Sequence, residues 1–236
     1  MIHFKQTQIG YLQTICTINE LKLEAGKVYA LLGLNGAGKS TLLKSMAAQL
    51  ALLGGELLLN EYPVAQLRKD AALRARQISF VASHFDGVEH LQVQDYIGLG
   101  RLPYANSFGR LSRLDEQEVR QVMELLNIQH LAHKETRALS DGERQMVSLA
   151  RAFVQDTPIL LLDEPASYLD FLNRENLLLS LLSWAKQSNK CVVLSSHDID
   201  LCLEHQLPIL ALAGGQIHQL LDLPKKEVLS ILLKWS

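Results

Sequence analysis

The fold is decided by a short glycine-rich stretch near the N-terminus, which reads Gly33-Leu34-Asn35-Gly36-Ala37-Gly38-Lys39-Ser40. It follows an apolar run at residues 28–32, which predicts a buried strand, and it precedes apolar residues at helical spacing from Ser40 to Leu50. A strand, a G-x-x-x-x-G-K-S loop and a helix in this order are typical of a phosphate-binding loop. The alternative, a glycine-rich turn with an incidental lysine, does not account for the whole pattern in this context.

The chemistry of a nucleoside triphosphate assigns roles within this loop. We expect Lys39 to act as a point charge on the β- and γ-phosphates, and Ser40 to offer its hydroxyl to Mg²⁺. Glycines leave room for backbone N–H groups to reach phosphate oxygens, and the positive end of the following helix attracts the same charge. The loop alone does not separate a kinase, a GTPase and a motor. The other candidate nucleotide contacts in and beside the loop are Asn35, Gly36, Ala37, Gly38 and Thr41.

A second chemical feature is a pair of acids, Asp163 and Glu164, which directly follows the apolar run at residues 159–162. A buried strand brings its terminal acids to the carboxyl edge of the sheet, where ligands bind in open α/β folds. We expect Asp163 to hold Mg²⁺ through water and Glu164 to polarise an attacking water. By itself the pair fits a solvated turn equally well, but together with the phosphate loop it favours hydrolysis.

The overall composition is that of a folded globular protein and not of a disordered or membrane-spanning one. The 236-residue chain has 48% apolar and 20% charged residues and a formal net charge of −2, which indicates a folded globular protein. No apolar run approaches the roughly 20 residues of a membrane helix, and the first residues lack the apolar core of a signal peptide. The three cysteines form no C-x-x-C pair, which favours a reducing cytoplasm. A pI near 6.4 does not indicate a nucleic-acid partner.

The apolar pattern divides the chain into two kinds of segment. The first and last thirds alternate strands with helices, which predicts an α/β fold with a mixed, mostly parallel sheet. The segment between them reads as helices. We therefore predict one domain over residues 1–236, in which an α/β core (residues 1–82 and 155–236) carries an inserted all-α subdomain (residues 83–154).

Two capping boxes mark predicted helix starts within that subdomain, Asp115 with Glu118 and Ser140 with Glu143. Capping alone explains the second pair, but Gly142 between its members weakens a first helical turn. A glycine there would let a phosphate approach the backbone. Because the helix belongs to the inserted segment, the phosphate loop of a second subunit, rather than that of its own chain, could supply this phosphate.

Together these elements resemble the ATP-binding subunit of an ABC transporter. The Walker A motif lies at residues 33–40, the Walker B motif at 159–164, and the signature at 139–143, where the family most often has LSGGQ. Residues 167–170 resemble the D-loop, and His197 resembles the switch histidine. The resemblance covers nearly the whole chain and implies a P-loop NTPase core, bound ATP and Mg²⁺, and ATP hydrolysis coupled to transport.

The resemblance also implies a head-to-tail dimer that holds two ATP molecules at its interface. In such a dimer Ser140 and Gly142 contact the γ-phosphate in trans, His197 contacts it in cis as a catalytic residue beside Glu164 and Lys39, and Asp170 communicates across the interface.

One aromatic residue near the N-terminus is a candidate for stacking on adenine. Tyr11 resembles the family's stacking residue by its place upstream of the Walker A motif, although Phe4 is also nearby. A lone tyrosine near a strand end is more often explained by simple packing.

One position departs from the family pattern. Ser83 stands where the family has a glutamine, just after the strand that ends near Val81. Glutamine reaches further towards Mg²⁺ and the water, so Ser83 would need a bridging water, or His84 would substitute. Our hypothesis is that Ser83 is an altered metal ligand and that hydrolysis is slower or coupled differently.

Two stretches, residues 93–104 and 165–173, are similar to importer ATPases for iron-siderophores, haem and cobalamin. The resemblance implies a second ATPase subunit in a homodimer, an integral-membrane permease and, indirectly, a substrate-binding protein, with the chain peripheral on the cytoplasmic face of the membrane. The alternative is a soluble ABC-type ATPase of nucleic-acid maintenance or translation, whose long coiled coils or paired cassettes are lacking here. A P-loop kinase is a third possibility, against which the signature and His197 argue.

Overall fold

One ten-stranded sheet organises the chain in the computed structural model, which describes residues 1–106, 108–220 and 223–234. The strands are β1 (Ile2–Gly10), β2 (Thr14–Leu23), β3 (Lys27–Leu32), β4 (Gly54–Leu59), β5 (Tyr62–Pro63), β6 (Ile78–Val81), β7 (Ile159–Leu162), β8 (Cys191–Ser195), β9 (Ile209–Ala213) and β10 (Gln216–Leu220). Their order across the sheet is β5-β4-β1-β2-β10-β9-β3-β8-β7-β6. The predicted α/β class with a mixed sheet is confirmed.

The half of the sheet from β9 to β6 is entirely parallel. Every residue of β7, β8 and β9 is buried, as expected for strands covered by helices on both faces. Because β3, β7 and β8 run in the same direction, their carboxyl ends meet at one edge. The predicted phosphate loop and carboxylate pair follow two of these strands.

The helices of the described residues are α1 (Lys39–Met46), α2 (Val64–Lys69), α3 (Ala71–Gln77), α4 (Val93–Gly98), α5 (Arg113–Leu125), α6 (Asp141–Val154), α7 (Phe171–Gln187), α8 (Ile199–Glu204) and α9 (Lys225–Leu233). None of them is long and apolar enough to cross a membrane. Between β6 and β7 the described chain forms α4, α5, α6 and three 3-10 turns, as the apolar spacing predicted. The division into a core and a separate helical subdomain stays a prediction.

An antiparallel arm completes the other half of the sheet. Strand β1 pairs antiparallel with β2 on one side and with β4 on the other. Strands β1 and β2 are neighbours in the sequence, whereas β4 pairs with β1 from beyond the phosphate loop and α1, a partnership that local periodicity does not predict. The arm matters for the site because the turn between β1 and β2 brings Ile15 against the phosphate loop.

The start of α5 differs from the prediction. Ser112 is the N-cap, and Asp115 is the third helical residue that closes the box, so the predicted box of Asp115 and Glu118 is wrong by three residues. Asp115 Oδ1 also accepts a hydrogen bond from Arg101 Nε at 2.8 Å, and Arg101 Nη1 donates to Val154 O at 2.8 Å. Burial raises the pKa of the Asp115 carboxyl, but the hydrogen bonds that it accepts from Ser112 and Arg101 outweigh this effect and hold the pKa below its ordinary value.

The cysteines are structural. Cys16, Cys191 and Cys202 are free and buried, and desolvation raises the pKa of each thiol to about 12. A thiol with so high a pKa is a poor nucleophile near neutral pH, so these residues act as small apolar packing groups.

Candidate nucleotide-binding site

The phosphate loop connects the end of β3 to the start of α1 with a backbone that only glycine adopts easily. Gly36 has a φ of 79° and Gly38 a φ of 103°, both in the left-handed region. A Cβ atom on Gly38 would also lie 2.7 Å from Ile15 Cγ2. Both the backbone conformation and the close approach of β2 therefore require glycine at this position. The helix α1 ends at Met46, earlier than its apolar spacing predicted.

Lys39 lies under this loop and beside the acids of the sheet edge. Its Nζ donates hydrogen bonds to Gly33 O at 2.9 Å and to Leu34 O at 3.4 Å, and the residue is only 6% exposed. Burial lowers the pKa of Lys39, while the nearby carboxylates of Glu164 and Asp163 oppose that shift. The structure thus brings the predicted phosphate-binding cation close to both predicted acids.

The two acids have different surroundings. Asp163 is 3% exposed, and its Oδ1 accepts a hydrogen bond from Ser195 Oγ at 2.8 Å. Glu164 has a positive φ of 50°, and its backbone N–H donates to the same Ser195 Oγ at 2.8 Å. The Glu164 side chain turns outward, and its Oε1 lies 2.7 Å from His197 Nε2. The buried, hydrogen-bonded Asp163 is suited to be a fixed metal ligand, and the outward-facing Glu164 is suited to react with a water molecule. No motif in the sequence points to Ser195.

The donor set at this edge fits Mg²⁺. Among the described residues there is no cluster of three or more His, Cys, Asp or Glu side chains that would hold a metal on its own. Mg²⁺ does not require one, because it usually keeps several waters and binds through one or two carboxylates and the phosphates of a nucleotide. A buried carboxylate on Asp163 and a hydroxyl on Ser40 at the start of α1 supply hard oxygen ligands of this kind.

The signature segment forms the predicted capping box. Ser140 is the N-cap of α6; its N–H donates to Glu143 Oε2 at 2.8 Å, and the Glu143 N–H donates to Ser140 Oγ at 3.3 Å. A Cβ atom on Gly142 would lie 3.2 Å from Tyr168 O. This glycine therefore also allows α6 to pack against residues 167–170 of the same chain, a contact that no sequence pattern indicates.

Asp170 has a local role. It is the N-cap of α7, where its Oδ1 accepts from the Asn173 N–H at 2.9 Å and its Oδ2 from Asn173 Nδ2 at 3.0 Å. The side chains around it include large apolar groups that remain exposed, among them Tyr168, Phe171 and Leu172. The structure of one chain therefore places Asp170 on a surface with apolar character.

Tyr11 lies in the turn between β1 and β2 and is 57% exposed, which argues against the simple packing role. The strand that follows this turn carries Ile15, whose side chain lies against Gly38 of the phosphate loop, so Tyr11 is four residues from a side chain that touches the site. Phe4, the other aromatic residue considered, is buried in the core and has no surface to offer a base.

Ser83 follows the end of β6, the strand next to β7. The Asp163 N–H donates to Val81 O at 2.9 Å, so the chain leaves β6 directly beside the buried carboxylate. The hydrogen-bonding partner of His84 is Asp86, whose Oδ1 lies 2.8 Å from His84 Nε2. Ser83 is thus on the expected edge, whereas the His84 ring is turned towards another carboxylate.

Comparisons with known proteins agree with this arrangement. The ABC transporter family model matches residues 17–167. An achromobactin transport ATP-binding protein of Dickeya dadantii is 35% identical over 225 residues, which cover 92% of this chain and 83% of that protein.

Solved structures agree as well. A chain of an ABC transporter described as metal-chelate type, in an inward-facing conformation, is 27% identical with a TM-score of 0.82, and the match covers 99% of this chain and 88% of that one. A bacterial ABC transporter cassette solved as a dimer has a TM-score of 0.84 at 22% identity, covers 95% of this chain and all of that one, and supports the fold alone. The phosphate loop, the paired acids and these matches together show that the chain belongs to the ABC transporter family, as an ATP-binding subunit with ATPase function.

Proposed function

We propose that this chain hydrolyses ATP to power the import of a metal-chelate type substrate, such as an iron-siderophore, haem or cobalamin, through a membrane permease. The observation that carries the proposal is the hydrogen-bonded set of Asp163, Ser195, Glu164 and His197 beside the buried Lys39. The substrate class is supported by a relative named for achromobactin transport and by the structural match described as metal-chelate type.

The phosphate loop binds the triphosphate of ATP in this proposal. Lys39 exchanges its hydrogen bonds with Gly33 O and Leu34 O for hydrogen bonds with phosphate oxygens. Charged phosphate oxygens stabilise the buried ammonium group more than neutral carbonyl groups do. The exposed Tyr11 stacks on adenine. The backbone and side-chain contacts come from Asn35, Gly36, Ala37, Gly38, Ser40 and Thr41.

Ser40 and Asp163 would hold Mg²⁺, with Ser83 as a more distant ligand through water. When bound, this cation neutralises charge on the phosphates and organises them for attack. The chain's own contribution is a carboxylate at Asp163 that is already desolvated and oriented by Ser195.

Glu164 acts as the general base for the attacking water. Its carboxylate extends from a backbone turn fixed by Ser195, and it accepts the water's proton while His197 at 2.7 Å keeps it oriented. His197 also supplies an N–H donor for the γ-phosphate in cis. Both groups lie at the mouth of the site, where a water can reach them.

A second copy of the chain completes the site. In the proposed homodimer Ser140 and the backbone at Gly142 contact the γ-phosphate bound to the partner, and Asp170 lies at the interface. The contact between Gly142 and Tyr168 O links the two interface segments within one chain. The exposed apolar side chains near Asp170 are the kind of surface that such an interface buries.

We further propose that the dimer sits on the cytoplasmic face of the membrane, bound to an integral-membrane permease that a substrate-binding protein supplies. The test is to purify the tagged chain from solubilised membranes and to identify its companions by mass spectrometry. We expect a permease in stoichiometric amount. Recovery with ribosomes or DNA-bound proteins instead would contradict the transport function.

The serine at position 83, where the family has glutamine, leads to a testable prediction about turnover and Mg²⁺ dependence. We expect Ser83→Gln to raise ATPase turnover and to lower the Mg²⁺ concentration at half-maximal rate, each about three- to tenfold, because a longer amide replaces a bridging water and adds about one hydrogen bond. Ala82→Gln at the exposed neighbouring position is the matched control. Unchanged turnover with unchanged Mg²⁺ dependence would remove the hypothesis.

A further inference from the structure

Ser195 occupies the last position of β8, directly across from the start of the carboxylate pair. In the register of the parallel pair β7–β8, Leu162 is opposite Leu194, so Asp163 and Ser195 leave the sheet side by side. The residue is completely buried. Its single hydroxyl donates to Asp163 Oδ1 and accepts the N–H of Glu164, both at 2.8 Å.

We propose that Ser195 is a positioning residue for hydrolysis, which sets the Asp163 carboxylate for Mg²⁺ and the Glu164 backbone turn for the attacking water. This inference rests on the proposed function, because it assumes those roles for Asp163 and Glu164. No motif marks Ser195; its position and contacts in the structure assign the role.

The donor and acceptor functions of the hydroxyl explain why a polar group is needed here. Without the donor, Asp163 Oδ1 loses a hydrogen bond where only 3% of the residue is exposed, so water replaces it poorly. Without the acceptor, the N–H of Glu164 loses its partner at a residue with a φ of 50°, a conformation that non-glycine residues rarely adopt. One hydroxyl thus couples the metal ligand to the base.

The next residue offers a matched control. Ser196 has the same side chain but a different task, since its Oγ accepts the N–H of Asp198 at 3.0 Å just before α8. Replacing Ser196 removes a hydroxyl of the same size from the residue that directly follows β8, and its bond to Asp198 involves neither acid. A rescue variant is also available, because threonine keeps the hydroxyl and adds one methyl group at a residue that lines a cavity of about 210 Å³ between α7, β8 and α8.

The experiment compares ATP affinity in Mg²⁺ with ATP affinity in EDTA, together with turnover. For Ser195→Ala we expect about a tenfold loss of affinity in Mg²⁺, little change in EDTA, and about a tenfold loss of turnover at saturating Mg²⁺, the equivalent of one hydrogen bond to a charged group. Ser195→Thr should restore both quantities, and Ser196→Ala should leave them unchanged. Equal losses in Mg²⁺ and EDTA, no loss in either, or failure of Ser195→Thr to recover would overturn the inference.

Two further variants, Ser195→Cys and Asp163→Asn, cover the case in which Ser195→Ala does not fold and the case in which Asp163 is not the metal ligand. Thermal unfolding without nucleotide shows whether Ser195→Ala is folded; if it is not, the near-isosteric Ser195→Cys, a weak donor and acceptor, takes its place in the same comparison. Asp163→Asn distinguishes a failure of the proposed Mg²⁺ role of Asp163 from a failure of the positioning role of Ser195. If Asp163→Asn shows no Mg²⁺-specific loss, the proposed role of Asp163 fails; if it shows the loss and Ser195→Ala does not, only the Ser195 inference fails.

Discussion

Replacing Glu164 with glutamine is expected to reduce ATP turnover by a factor on the order of 10²–10⁴, the usual contribution of a general base, while ATP binding is retained. Glutamine has nearly the same shape and keeps an oxygen that can face His197, so the 2.7 Å contact and the turn at φ 50° can survive. What is lost is the ability to accept a proton. Turnover is measured by phosphate release at saturating ATP and Mg²⁺, and affinity by calorimetry on the same preparation.

The matched control is Glu204→Gln, which neutralises an exposed carboxylate in α8 away from the phosphate loop. It should hydrolyse ATP at the normal rate. If Glu164→Gln also turned over normally, Glu164 would not be the base, and the arrangement around Ser195 would have another purpose.

The second large effect is expected for Lys39→Ala, with a loss of about 10²-fold in ATP affinity and no measurable hydrolysis. A charge-assisted hydrogen bond contributes about 1.5–3 kcal/mol, and Lys39 is placed to reach two phosphates. Its pKa is lowered by burial, so a phosphate that restores a favourable environment for the charge should be bound strongly. Affinity is measured by titration with a fluorescent ATP analogue.

Lys44→Ala serves as the control, because it removes the same charge from the last turn of the same helix. Only the change at Lys39 should weaken ATP binding. A Lys39→Ala protein that is folded, as judged by its thermal unfolding, and binds ATP normally would show that the loop does not hold the triphosphate.

Local patterns predicted the parts of the fold that local forces determine. The phosphate loop was recognisable because a strand, positive-φ glycines and a helix start follow one another within a few residues. The box of Ser140 and Glu143 is equally local and is confirmed. At α5 the same pattern misled, because Asp115 is suited both to an N-cap and to the third helical position, and Ser112 outside the predicted helix took the cap.

Contacts between distant segments could not be predicted in this way. Ser195 is a common residue at the end of an apolar run, and its importance comes only from the register that sets it beside Asp163. Gly142 suggested a close phosphate, whereas the structure adds a close carbonyl of Tyr168 from the same chain. In both cases the partner is fixed by packing of the sheet and helices and leaves no periodic trace in the sequence.

The most direct test of the account is the mass in solution of Glu164→Gln saturated with ATP and Mg²⁺, measured by light scattering. The proposed site is complete only when the phosphate loop of one copy meets Ser140 and Gly142 of another. We therefore predict twice the 26.4 kDa mass of the chain with ATP, and a single chain with ADP or without nucleotide. A Glu164→Gln protein that binds ATP yet stays a single chain, both alone and when assembled with its permease, would contradict the account.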